Sequence, residues 1–252
     1  MTSTHEEMLS HARRDALVLL LACAAGSVDA IGYLGLNHVF TANMTGNTVL
    51  LGITLGQGHG LAAWSNLTAL GAFGLGLLFG ALIVERGGKS GVWDRRVTWA
   101  ISLEAFLLAA FTALWHLTPA DQLTGHSVLY PLIGLSAAAM GIQSAAVRRL
   151  NLPGVATTYV TGTLTSLVAG LTRKLHLAWT TPQPESAAAA PAHIGLQASV
   201  FAVYGVAAML SGLFQTRMPA LVAILPLAAI GAVLLVVSSA HIEHDARRNA
   251  AI

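Results

Sequence analysis

Of the 13 Lys and Arg residues, 12 fall in short clusters between apolar stretches long enough to cross a lipid bilayer. A helix needs about 20 mostly apolar residues to cross. Six segments qualify, at roughly 16–36, 61–84, 97–117, 128–147, 195–216 and 219–240. With 55% hydrophobic residues, 10% charged and a mean hydropathy of +0.67, the 252-residue chain has too little polar surface to clothe a soluble domain. No segment carries the sustained alternation and turns of a membrane β-barrel. The expectation is an all-α polytopic membrane protein, one integral membrane domain over 1–252 with polar tails at 1–14 and 241–252.

Two further segments, 40–57 and 155–172, are apolar but short and loaded with Thr, Gly and Asn. They are either full spans or re-entrant elements, and charge separates the two. If both cross, giving eight spans, six basic residues lie on the N-terminal side and seven opposite. If each enters and leaves on one side, 12 lie on the N-terminal side and Arg217 stands alone opposite. The positive-inside rule strongly prefers the second arrangement and puts both termini in the cytoplasm. Residues 37–60 and 152–173 then re-enter, which irregular backbone tolerates only against protein or a water-filled cavity.

The two short segments correspond. Thr45-Gly46 and Thr161-Gly162 are 116 residues apart, Gly26-Ser27-Val28-Asp29-Ala30 matches Gly141-Ile142-Gln143-Ser144-Ala145 at a spacing of 115, and Phe73-Gly74 matches Tyr204-Gly205 at 131. The extra length is a Pro/Ala-rich linker over 176–194. Repeat 1 covers about 16–117 and repeat 2 about 128–240. With three crossings each, the second unit lies upside down relative to the first, a 3+3 inverted repeat of the kind many secondary transporters use.

Only Asp29 and Glu104 of the 11 acids fall inside spans. A carboxylate there is costly and faces a cavity, finds a partner or stays protonated. Ala22, Gly26, Asp29 and Tyr33 share one helix face, leaving room for the broken segment beside the carboxylate. Asp29 reads as a proton or cation site or as a backbone anchor, and Glu104 as a structural bond or part of a permeation path. The broken elements add Asn43, Thr45 and Asn47 on one side and Thr161 and Thr163 on the other, with Gln143 in the matching segment of the fourth span. Such side chains cap helix N-termini, ends that also attract anions, and unwound carbonyls suit Na+.

Other features count against other functions. The basic pairs sit at span ends without interleaved aromatics, so nucleic acid is not an expected partner despite a pI near 9.0. Among ten scattered His, only His241 and His244 share helical spacing, and no metal or cofactor is expected. Nucleophile-elbow, zinc-protease and phosphate-loop motifs are absent, so the chain is not expected to be an enzyme. Cys23, the sole cysteine, sits in an apolar run that continues to Leu36, which makes it part of an uncleaved first span. Trp64, Trp93, Trp99, Trp115 and Trp179 near span ends read as interface anchors.

Through Ala25-Gly26-Ser27-Val28-Asp29-Ala30-Ile31-Gly32-Tyr33-Leu34 and Phe40-Thr41-Ala42-Asn43-Met44-Thr45-Gly46-Asn47, the chain resembles the YoaK-like family of bacterial membrane proteins (domain of unknown function 1275). The resemblance also covers Gly141-Ile142-Gln143-Ser144 and the Thr157–Thr163 motif. It implies a multi-pass protein of the bacterial inner membrane and carries over no functional residue.

The functional expectation is a permease for a small solute or ion, its site where the two broken elements meet beside Asp29, coupled to protons or a cation. A passive channel and a non-transporting scaffold or assembly factor are the alternatives. Gly-rich faces suit pairing as a homodimer in the bilayer.

Overall fold

The computed structural model describes residues 2–85, 93–119, 122–123, 125–158, 160–179 and 193–250. Tyr159, the basic residues Arg86 and Lys89, and the linker around Pro182 and Pro184 lie outside the described residues. Helices in chain order are α1 (Thr2–Gly35), α2 (Met44–Gly56), α3 (Gly60–Val84), α4 (Arg95–Leu117), α5 (His126–Arg149), α6 (Val160–Trp179), α7 (Ile194–Arg217), α8 (Pro219–Val222) and α9 (Ile224–Ala250). The described residues contain no strand. Six stretches are long and apolar enough to cross a membrane: Ala12–Gly35, Gly60–Val84, Arg95–Leu117, His126–Arg149, Ile194–Arg217 and Pro219–Ser239. These are the six expected spans, each displaced by no more than a turn.

The bundle has two distinct ends. One buries Ile31, Leu36, Phe111, Trp115, Leu129 and Val222 together. The other buries Leu17, Val18, Val84, Val97, Val147 and Leu196. Arg95 and Arg96 at the start of α4, Arg148 and Arg149 at the end of α5, and Arg13 and Arg14 within α1 just before Leu17 all lie toward the second end, whereas Arg217 belongs to the first. Trp115, expected as an interface anchor, is instead buried, because Gly35 leaves its ring a seat on α1.

Packing runs across the chain rather than along it. Helix α1 lies on α7 and α5 on α3, while α1 meets α9 as α5 meets α4. Helix α2 lies on α3, and α6 on α7. Glycines make the central pairs possible, Gly76 and Gly80 on α3 lying against α5 at Ala138 and Ile142. A Cβ at Gly26 would overlap the backbone of Tyr204, and one at Gly141 would overlap the backbone of Phe73. The two contacts join the positions that the sequence spacings relate, Gly26 to Gly141 and Phe73 to Tyr204.

Four boundaries differ from expectation. Both tails continue as helix, α1 starting at Thr2 and α9 reaching Ala250, because neither tail contains the Gly or Pro that would interrupt it. Helix α6 runs to Trp179 rather than stopping near 172. The last span is broken at Ala223, since Pro226 has no N–H to offer the carbonyl of Val222. Side chains of α4 bond carbonyls beside the break: Thr112 Oγ1 donates to Ala223 O at 2.9 Å, and His116 Nε2 bonds Ala220 O at 2.7 Å.

Candidate functional site

After Gly35 the chain reverses through Asn37 and His38, both with φ near +60°, a conformation Asn accepts at little cost. Residues 39–43 then descend along α1. Gly32 admits them, since a Cβ there would overlap the carbonyl of Val39. Their lowest point is fixed by Asp29, six residues and so about 9 Å below the end of α1. Its Oδ1 accepts the N–H groups of Thr41 (2.8 Å), Ala42 (2.6 Å) and Asn43 (3.2 Å), and its Oδ2 accepts the hydroxyl of Tyr204 on α7. Four donors and no acceptor surround the side chain, which is the environment an ionised carboxylate requires.

Helix α2 starts at this point and leads back up. The N-terminus of a helix attracts negative charge. Here the anion in place is Asp29 itself. Asn43 supplies the cap, its side-chain oxygen accepting Gly46 N–H at 3.3 Å. Helix α2 ends at Gly56, and His59 comes to rest beside Asn37 on one cavity wall. Segment 37–60 therefore enters and leaves at the same end of the bundle.

The second half repeats the arrangement with neutral groups. Past Arg149 the chain turns at Asn151 (φ 49°) and runs back along α5. Gln143 Nε2 donates to Thr157 Oγ1 at 2.8 Å and to Leu21 O at 3.0 Å, and Ser144 Oγ pairs with Thr158 Oγ1 at 2.6 Å. Helix α6 then returns, and Gly154 and Pro153 sit against Gln197 near the start of α7. Ser144 occupies the place of Asp29, and Phe73 that of Tyr204, so the charged pair exists in one half only.

Each tip is closed by one side chain. Asn47 accepts Phe40 N–H at 2.9 Å and donates to Phe40 O at 2.5 Å. Thr163 accepts Ala156 N–H at 3.0 Å and donates to Ala156 O at 3.1 Å. Both are fully buried. At the first tip, Ser136 Oγ on α5 also donates to Thr41 Oγ1 at 2.9 Å, and Thr41 Oγ1 to Val28 O at 3.2 Å.

The eight candidate residues thus separate. Asp29, Asn43 and Asn47 hold the first tip, and Gln143 and Thr163 the second. Thr45 and Thr161 point outward and are exposed. Their positions on α2 and α6 face away from the buried bonds, so sequence proximity alone grouped them with the tips. Glu104 stands apart on α4, fully buried, with no hydrogen-bond partner on either oxygen. Nor do the broken elements share one site beside Asp29. The second tip is bound at Gln143, which reaches Leu21, eight residues and about 12 Å along α1 from Asp29.

Sequence reading missed Tyr204 as a partner of Asp29, because the two are 175 residues apart. It also missed two cavities. One of about 320 Å³ opens between α1 and α7 over Asp29, walled by Tyr33, Leu34, Phe40, Tyr204 and Ala208. Another of about 460 Å³ lies where α1 ends and α3 and α5 begin. No group of three His, Cys, Asp or Glu side chains suited to a metal occurs among the described residues.

Six membrane-length helices and two buried, self-bonded hairpin tips define a multi-pass helical membrane protein. Residues 17–237 match the family described as protein of unknown function DUF1275, and the chain belongs to that family. It is 40% identical over 168 residues to the UPF0700 transmembrane protein YoaK of Bacillus subtilis (strain 168), covering 67% of this chain and 72% of that one. No solved structure matches the chain.

Proposed function

We propose that the chain is a small-solute permease rather than an enzyme, built as two inverted repeats in the bacterial inner membrane with both termini cytoplasmic. The observation that carries this reading is the pair of polar hairpin tips buried between helices and fixed by side chains instead of by continuous helix. Backbone broken inside an apolar bundle costs several kcal/mol per unpaired group, so such tips mark places where a bundle handles polar cargo. The reciprocal contacts of Gly26 with Tyr204 and of Gly141 with Phe73 support the inverted relation. The basic residues gathered at one end support the orientation.

In this reading Asp29 is the switch. Its carboxylate holds the first tip against α1 while Tyr204 covers it from α7. Protonation would remove the charge that three N–H groups and a hydroxyl satisfy, releasing the tip from one side. Proton movement would then accompany solute movement. The test is uptake of a radiolabelled solute panel into proteoliposomes under an imposed pH gradient. Saturable, gradient-driven uptake of one solute class, lost in Asp29→Asn while that variant stays monodisperse, is the expected result. Uptake unchanged by Asp29→Asn overturns the coupling role, and large single-channel currents would make the protein a channel.

One observation favours a second reading. Asp29 is only 3% exposed and fully hydrogen-bonded, which a non-transporting scaffold also requires. A scaffold would show no solute-specific uptake in the same assay.

A further inference from the structure

The cavity of about 460 Å³ at the Asn37 end of the bundle has a distinct chemistry. Its polar wall is made by Asn37, His59, Ser65, His126 and Tyr130, and no acid lines it among the described residues. Every one of these side chains can donate a hydrogen bond. Helices α3 and α5 both begin here, at Gly60 and His126. Neither of their caps, His59 and Gly125, supplies a side-chain hydrogen bond, while Gly60 N–H is taken by Gly58 O at 3.1 Å and Val128 N–H by Gly125 O at 3.0 Å. Ser65 is buried, its hydroxyl donating to Leu61 O at 3.3 Å and accepting from Asn37 Nδ2 at 3.3 Å, which leaves Asn37, His59, His126 and Tyr130 as the donors facing the cavity.

From these donors we infer that the cavity binds a small oxyanion, a carboxylate or phosphate group on a free solute or a lipid headgroup. The imidazoles of His59 and His126 converge on it from two helix starts, with the Asn37 amide and the Tyr130 hydroxyl completing the ring of donors. Asn37 and His59 are also the residues where the first hairpin departs and returns. An oxyanion bridging them would brace the base of the segment whose tip Asp29 holds. The inference concerns binding and stands independently of transport.

The test is isothermal titration of the purified protein in neutral phosphatidylcholine nanodiscs with inorganic phosphate and with succinate, glycerol and choline serving as neutral and cationic probes. Saturable binding of at least one oxyanion, with none of glycerol or choline, is expected. The His59→Gln/His126→Gln double variant should weaken it at least tenfold. Tyr130→Phe, which removes one exposed-side hydroxyl and leaves packing intact, should weaken it several-fold and guards against misfolding of the double variant. Repeating the titration in nanodiscs containing phosphatidylglycerol separates the sources: competition assigns the site to a headgroup, and undiminished binding to a free solute. Absence of saturable binding by either oxyanion, equal binding of glycerol or choline, or full affinity in a correctly folded double variant would overturn the inference. Because no gradient is involved, its failure leaves the permease reading untouched, and failure of uptake leaves this site untouched.

Discussion

Asn47 and Thr163, 116 residues apart, each bridge the N–H and C=O of the residue seven positions earlier, Phe40 in one case and Ala156 in the other. Two different side chains do one job in two halves of the chain. Removing either leaves a buried donor and a buried acceptor unpaired, at a cost of about 1–3 kcal/mol per group. Asn47→Leu and Thr163→Val are both expected to lower thermal stability, by comparable amounts. Cys23, the only cysteine and half-buried, reports unfolding directly through reaction with a thiol-reactive dye.

At Asp29 the substitutions should rank by how many donors they strand. Asp29→Ala strands the three tip N–H groups and the Tyr204 hydroxyl, and breaking a buried charged network of this kind costs about 3–5 kcal/mol. Asp29→Asn keeps an acceptor for the tip and should lose less. Tyr204→Phe removes one bond to a charged group, worth about 1.5–3 kcal/mol. The same thiol assay orders the three, and equal loss in all of them would count against the anchor.

Gly26 and Gly141 are, with Gly76, sites where one helix meets another's backbone, so Gly26→Val and Gly141→Val should each disrupt the bundle, seen as loss of a monodisperse peak in detergent. Overpacking costs about 1–3 kcal/mol where neighbours can shift, and backbone neighbours shift least. Gly205, with open space where its Cβ would stand, is the control. There Ala should be tolerated and gain up to about 1 kcal/mol of helix propensity.

Glu104 has no partner for either carboxyl oxygen, so nothing in the fold depends on its charge. Glu104→Gln should leave thermal stability unchanged, and Glu104→Leu should hold or raise it, since replacing an unsatisfied buried polar group by an apolar one of similar size removes a desolvation cost. Glu104→Lys should fail to fold. A large loss in Glu104→Gln would reveal a bond that the acid makes in the membrane.

Orientation is measurable with single cysteines in a Cys23→Ala background. Reporters at Gly58 and Gly125 should react with a membrane-impermeant thiol reagent on intact cells, while Ser90, Asn151 and Ser186 should be protected. Protection of Gly58 and Gly125 with Ser90 and Asn151 labelled instead, Ser186 still protected, would mean that segments 40–57 and 155–172 cross fully.

What the sequence determined by itself was the class and the skeleton. Length, hydropathy and the spacing of Arg pairs are local quantities, and they located all six membrane-length helices and both short Thr/Gly-rich segments. Spacings of 115, 116 and 131 residues also related the two halves before any contact was known. Only the tertiary structure decided what each polar residue does. Asp29 meets Tyr204 across 175 residues, His59 and His126 share a cavity across 67, and Thr45 and Thr161 turn away from the tips that their neighbours hold. Nothing in local composition encodes these meetings, because they depend on which helices pack together, as at Gly26, Gly76 and Gly141. A carboxylate buried in an apolar bundle must find donors, but only the folded chain supplies them, at the N-terminus of α2.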